Sequence, residues 1–261
     1  MINLINKSIY YINKYIKKIE KILGFSIFFF SISRLIHVVL ERIFISKAKS
    51  KDFLSASNYV IKNPENKKIN IISAGIGNNI DFEKFLLKNF YVKKIIAIDP
   101  TGASKRIVKQ FKSKNFFFEN KALFINRKKI KIFLPYENKK TNPNFSIENI
   151  YNSKEYIYIY PVTLIYIMQK YKIKKIDILK LDVEGVADKI ITDLICKKIY
   201  PDQILFELER PYSIFKQFNF FKNFITLIFL LKKNYFLFYY TSTKLGFRSE
   251  ILAIRNDQIL F

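Results

Sequence analysis

From residue 69 to the carboxyl end, short runs rich in Ile, Val, Leu and Phe alternate with segments whose apolar residues recur every three or four positions. INIISAG (69–75) reads as a buried strand entering a glycine turn, residues 81–90 carry Phe82, Phe85, Leu86 and Phe90 on one helical face, and KKIIAID (93–99) is a second strand. Residues 103–113 read as a helix, 115–123 as a third strand, 163–171 as a helix, 175–182 as a fourth strand, 188–198 as a helix and 203–209 as a fifth strand. Parallel neighbours need a long crossover, normally a helix, so this alternation predicts an α/β fold with a doubly wound, largely parallel sheet. Residues 235–243 and 249–256 predict a closing antiparallel pair, and IKIFLP (130–135) an extra hairpin strand.

The polar stretch 136–155 is the longest loop-like segment and the natural candidate for a substrate-facing lid. It contains NPNF (142–145), which resembles a motif of amino-group methylation but lies upstream of the fourth strand, so it reads as an ordinary Asn-Pro turn. An unusually apolar segment runs from Phe215 to Leu231.

The fourth strand ends oddly. KIDILKLDVEG (175–185) puts Lys180, Asp182 and Glu184 on alternate positions, so these charges share one side while Leu179, Leu181 and Val183 share the other. In doubly wound sheets ligands sit beyond the carboxyl ends of the strands, which is where these groups lie. Glu207, on the next strand, is placed to approach them. Three carboxylates near one lysine are the right donors for a divalent cation, but no ligand spacing points to one and no metal is assigned. Lys180 reads as a structural and orienting residue that pairs with Asp182, Glu184 or Glu207 to satisfy otherwise costly buried charges, and Asp182 reads as a functional carboxylate.

Chemistry elsewhere is limited by composition. The single histidine, His37, lies far upstream of these motifs, and the single cysteine, Cys196, excludes intramolecular disulfides and Cys-cluster zinc sites. A reducing, cytoplasmic compartment is therefore expected, and a general base would be a carboxylate, Lys or Tyr. The 46 Lys and Arg against 21 Asp and Glu give a formal charge of +25, compatible with nucleic acid, an anionic membrane surface or plain solvated lysine. Most of the 27 Phe and 17 Tyr fall on apolar strands and helices, so they read as core, and no specific nucleic-acid partner is expected.

Residues 1–57 read as a helical appendage ahead of a domain spanning 58–261. Ile2, Ile5, Ile9, Ile12, Ile16, Ile19 and Leu23 form a 3,4 stripe flanked by lysines, the pattern of a basic amphipathic helix or short coiled coil. The uncharged run at 22–33 is 12 residues, short of the roughly 20 needed to cross a bilayer. Packing on the domain, peripheral membrane contact and self-association through residues 1–40 all remain open.

SAGIGNN (73–79) follows the first strand, and its Gly75 and Gly77 permit a tight turn close to a ligand. Ile80 stands where the dinucleotide fingerprint has its third glycine. Asp99 ends the second strand 24 positions after Gly75, where an acid accepts from both ribose hydroxyls. An adenosine-containing cofactor follows. NAD brings a pyrophosphate, which favours the missing glycine, whereas the cationic sulfonium of S-adenosylmethionine suits an acidic crevice.

These segments, SAGIGNNIDFEKFLL, IIAIDPT, NKAL, IDILKLDVEGVADKII and ILFELE, together resemble the FkbM family of methyltransferases over roughly residues 58–256. The resemblance implies a class I, Rossmann-like fold and methyl transfer from S-adenosylmethionine, typically to a hydroxyl oxygen, here of a glycan, lipid-linked sugar or small metabolite. It implies cofactor contacts at Ser73, Gly75, Ile76, Gly77, Asp99, Pro100, Ala122 and Asp182, and catalytic roles for Asp182, Glu184 and Lys180. Two positions depart from the commoner pattern: Ser73 stands where an Asp often begins the cofactor loop, and Val186-Ala187-Asp188 replaces Ala-Glu after the glycine. Competing readings are an NAD-dependent Rossmann oxidoreductase, a degenerate non-catalytic scaffold and a basic nucleic-acid-binding protein.

Overall fold

The computed structural model describes residues 53–64, 67–134, 145–149, 153–209, 226–227, 229–240 and 248–258. The amino-terminal stripe and apolar run, most of the loop at 136–155 with the NPN of its turn, and most of the segment from Phe215 to Leu231 lie outside these residues.

The chain opens with a small hairpin, β1 (Phe53–Ala56) and β2 (Tyr59–Lys62), and then alternates. β3 (Ile69–Ala74), α1 (Asp81–Asn89), β4 (Val92–Ile98), α2 (Gly102–Lys109) and β5 (Phe116–Glu119) form the first half. β6 (Ile130–Phe133) and β7 (Tyr156–Ile159) make a separate antiparallel hairpin. α3 (Leu164–Lys170), β8 (Ile178–Leu181), α4 (Ala187–Cys196), β9 (Gln203–Glu209), β10 (Tyr235–Tyr240) and β11 (Arg248–Arg255) complete the body.

The main sheet runs β10-β11-β9-β8-β3-β4-β5. β9, β8, β3, β4 and β5 are parallel, while β11 lies antiparallel between β9 and β10. This is the expected doubly wound sheet with its carboxyl-terminal antiparallel hairpin, and the crossover direction reverses between β3 and β8. Central strands are covered on both faces, which is why β3, β4 and β8 read as largely apolar runs without strict alternation. On one face Ile72, Leu179, Leu181 and Phe206 pack with Leu164 and Ile167 of α3 and Ile190, Ile191 and Leu194 of α4. On the other, Ile71, Ile95, Ile178 and Leu205 pack with Phe82 and Leu86 of α1 and with Ala56 and Ile61 of the opening hairpin.

Local signals set the helix starts. Thr101 and Thr163 cap α2 and α3 by accepting from the backbone N–H groups of Ser104 and Tyr166. α1 begins with Asp81 and Glu83 and carries Lys88 in its last turn, complementing the helix dipole.

The opening hairpin crosses the boundary expected after residue 57, with β1 before it and β2 after. It is fastened to the sheet by the Gln203 side chain, which accepts from the Lys62 N–H (2.9 Å) and donates to the Lys62 carbonyl (2.8 Å). The fourth strand also differs from expectation. It ends at Leu181, so strict alternation stops there and Val183 joins Asp182 and Glu184 along one cavity instead of facing away. Among the described residues no helix is long and apolar enough to cross a membrane.

Candidate active site

The cavity, of about 230 Å³, opens beyond the carboxyl ends of β3, β4 and β8, at the point where the sheet changes direction. Its floor is the turn from β3 to α1. Gly75 and Gly77 have φ of +79° and +53°, values that glycine alone adopts freely. The Gly75 N–H donates to the Ile98 carbonyl and the Asp182 N–H to the Ala74 carbonyl, each at 2.9 Å, so the loops after β3 and β8 meet backbone to backbone. A Cβ at Gly75 would lie 1.7 Å from the Asp182 carbonyl oxygen.

Asp99, 3% exposed, follows the last residue of β4 and lines the cavity. Its Oδ2 accepts from the Gly77 N–H (2.9 Å), and its Oδ1 accepts from the Thr101 N–H (2.8 Å) and hydroxyl (2.6 Å). The carboxylate thus ties the glycine turn to the start of α2 and is held in one orientation by three donors.

Lys180 is 4% exposed, and its ammonium donates to the Gly75 carbonyl at 2.7 Å. It sits 4.9 Å above the Tyr59 ring and 3.7 Å from Asp182 Oδ2. Its shortest contact is with the glycine turn, which makes it a brace between β8 and that turn. Asp182 is more open, and its Oδ2 accepts from the Tyr59 hydroxyl at 2.8 Å. The Tyr59 ring in turn meets Phe82 of α1 edge-on.

Of the residues expected from sequence, Gly75, Ile76, Gly77, Asp99, Pro100, Ala122, Lys180, Asp182 and Glu184 line this one cavity. Ser73 stands apart. It is wholly buried at the end of β3, and its hydroxyl donates to Glu83 Oε1 at 2.5 Å instead of facing the cavity. Glu207 is not among the lining residues; β11 places Glu250 directly opposite it. Among the described residues no group of three or more His, Cys, Asp or Glu is arranged to hold a metal ion.

Among the lining residues that were not foreseen are Tyr59 and Glu83. Tyr59 comes from β2, 123 positions before Asp182, and nothing local announces such a contact. Glu83 is next to Phe82 on α1 and reads as an ordinary acidic residue of a helix's first turn, yet it is 1% exposed. The loop between β6 and β7 also contributes: Phe145 and Ile147 line the cavity, and the Ser146 hydroxyl donates to the Glu184 carbonyl at 2.9 Å.

The family model described as the methyltransferase FkbM domain matches residues 52–248. No curated protein sequence matches the chain. Solved structures that resemble it include an FkbM methyltransferase from Methylobacillus flagellatus KT, at 9% identity and a TM-score of 0.42, covering 71% of this chain and 43% of that one. Spermidine synthase from Thermotoga maritima is similar at 12% identity and a TM-score of 0.38, covering 74% of this chain and 55% of that one. Human N-acetylserotonin methyltransferase in complex with SAM is similar at 12% identity and a TM-score of 0.33, covering 71% and 47%. The chain thus spans about half the length of these structures. With a family match over three quarters of its residues, the chain belongs to the FkbM methyltransferase family.

Proposed function

We propose that this protein methylates a hydroxyl oxygen, on a glycan, a lipid-linked sugar or a small metabolite, with S-adenosylmethionine as donor. The observation that carries the reading is Asp182, a partly open carboxylate at the end of β8, oriented inside the cavity by the Tyr59 hydroxyl and braced by Lys180. The walls suit this cofactor chemically. Glu83, Asp99 and Asp182 are all acidic, while Lys180 is already held by a backbone carbonyl. Such a lining favours a ligand bearing positive charge over a pyrophosphate.

When bound, S-adenosylmethionine supplies a methyl group activated by its sulfonium. Gly75, Ile76 and Gly77 would hold it against the turn, with Pro100 and Ala122 along the adenosine side and Asp99 toward the ribose. Among the described residues Asp99 Oδ2 accepts from the Gly77 N–H alone, which leaves a lone pair for a ribose hydroxyl. Asp182 is the group able to take the proton from an acceptor hydroxyl as the oxygen–carbon bond forms. Tyr59 keeps that carboxylate in place, and a modest base suffices because positioning supplies much of the acceleration of a displacement. Glu184 lies two positions on and lines the same cavity, where it would face the acceptor.

Calorimetric titration with S-adenosylmethionine, S-adenosylhomocysteine and NAD tests the cofactor, and radiolabelled methyl transfer to panels of hydroxyl and amine acceptors tests the reaction. Binding of the first two and label in base-stable ethers is expected. Binding of NAD alone, or label only on nitrogen, would overturn the reading.

A further inference from the structure

Glu83 is a charged group in an environment that should not tolerate it unaided. It lies between Phe82 and Lys84 in the first turn of α1, is 1% exposed and borders the cavity. Its Oε1 accepts from the Ser73 hydroxyl, and among the described residues no other donor and no basic side chain pairs with it. Lys180, the cation of this site, is engaged with the Gly75 carbonyl, the Tyr59 ring and Asp182 instead. A carboxylate removed from water and met by one neutral hydroxyl is costly unless a cation completes it. The amino end of α1 offsets part of that cost and no more.

The cofactor carries two positive groups, the sulfonium and the ammonium of its methionine tail. Asp182 already stands on the reacting side of the cavity. We infer that Glu83 receives the methionine ammonium, with Ser73 fixing its carboxylate. The negative charge that the strand lacks at position 73 is delivered to the same place from the neighbouring helix. The ammonium brings three N–H donors, enough to engage the Glu83 oxygen that Ser73 leaves unclaimed. Ser73 then acts through Glu83 as a positioning residue. This assignment rests on the cofactor reading above.

The test is a two-by-two titration of the full chain by calorimetry. The proteins are wild type and Glu83→Gln; the ligands are S-adenosylhomocysteine and its deaminated analogue, in which hydrogen replaces the ammonium. Wild type should bind the deaminated ligand roughly 10- to 100-fold more weakly, the range for losing a hydrogen bond to a charged group. Glu83→Gln should bind S-adenosylhomocysteine more weakly by a similar factor and should scarcely distinguish the two ligands, because the same contact is missing in every arm but one. Ser73→Ala should give a smaller loss with the same selectivity. Equal wild-type affinity for the two ligands overturns the assignment and needs no folded variant. A Glu83→Gln protein that loses affinity for both ligands alike also overturns it, since the residue would then only shape the wall. Wild type binding neither ligand would mark the failure of the cofactor reading itself.

Discussion

Replacing Gly75 by alanine should damage this protein far more than the same change at Gly102, and the size of the difference follows from the backbone. Gly75 has φ of +79°, which costs an L-residue with a Cβ about 1–2 kcal/mol. The new methyl would also sit 1.7 Å from the Asp182 carbonyl oxygen and 2.5 Å from its carbon, so one loop must move by more than an ångström. That movement strains the Asp182–Ala74 and Gly75–Ile98 hydrogen bonds and the Lys180 contact to the Gly75 carbonyl. A buried hydrogen-bonding group left unmatched costs about 1–3 kcal/mol. Losing even one of these contacts brings the total to about 2–5 kcal/mol. Gly102 opens α2 with ordinary helical backbone, and the nearest atom to its added Cβ is Arg106 Nη1 at 3.7 Å. There the methyl group should stabilise by roughly 0.5–1 kcal/mol through helix propensity. The chain has no tryptophan, so urea unfolding is followed by far-ultraviolet circular dichroism, with S-adenosylhomocysteine titrated into each folded variant. Gly75→Ala within about 1 kcal/mol of wild type, or less harmful than Gly102→Ala, would refute the close meeting of the two loops.

Other substitutions separate binding from turnover. Asp99→Ala should cut S-adenosylhomocysteine affinity at least tenfold and lower stability by roughly 2 kcal/mol, because three donors lose their acceptor; calorimetry and urea unfolding read the two effects. Asp182→Asn should lower the methyl-transfer rate about 100-fold while changing cofactor affinity much less, and Tyr59→Phe should lower it about tenfold, both measured as single-turnover rates beside calorimetric Kd values. Burial, reinforced by Asp202, raises the Asp177 carboxyl above its ordinary value even though the Asn70 N–H opposes the shift. A raised folded value means stability present at low pH and lost as pH climbs through that value, so Asp177→Asn should gain on wild type from about pH 4 upward in thermal melts. A gap that stays constant from acid to neutral pH would remove Asp177 from the account.

Much of the fold was legible because its central strands are buried on both faces and so appear as largely apolar runs, while α1 and α4 show their inward stripes. The opening hairpin escaped notice for a specific reason. Its two-residue turn is Ser57-Asn58, and Ser57 takes a φ of 58° that such turns usually assign to glycine, so the usual punctuation is missing. β7 was hidden by the long polar loop before it. In the site, Gly75, Asp99 and Asp182 could be read because each sits at a strand end, a position that sequence spacing locates well. Tyr59 and Glu83 could not. The first depends on a contact across most of the domain, and the second is an acidic residue on a helical first turn, where such residues usually face water. Ser73 marked the place of Glu83 only as a gap in a pattern.

The Gln203–Lys62 clasp has a consequence for how the protein is made. Lys62 leaves the ribosome 141 residues before the side chain that fastens it, and Tyr59 precedes Asp182 by 123. At translation rates of about 5–20 residues per second, the hairpin waits roughly 7 to 28 s for its partner strand. During that interval Ile61 and Ala56, fully buried in the finished protein, lack the β9 strand to which their hairpin is clasped. The first piece of the active site to be synthesised is therefore among the last to be installed, and the nascent chain stays catalytically incomplete until β9 emerges.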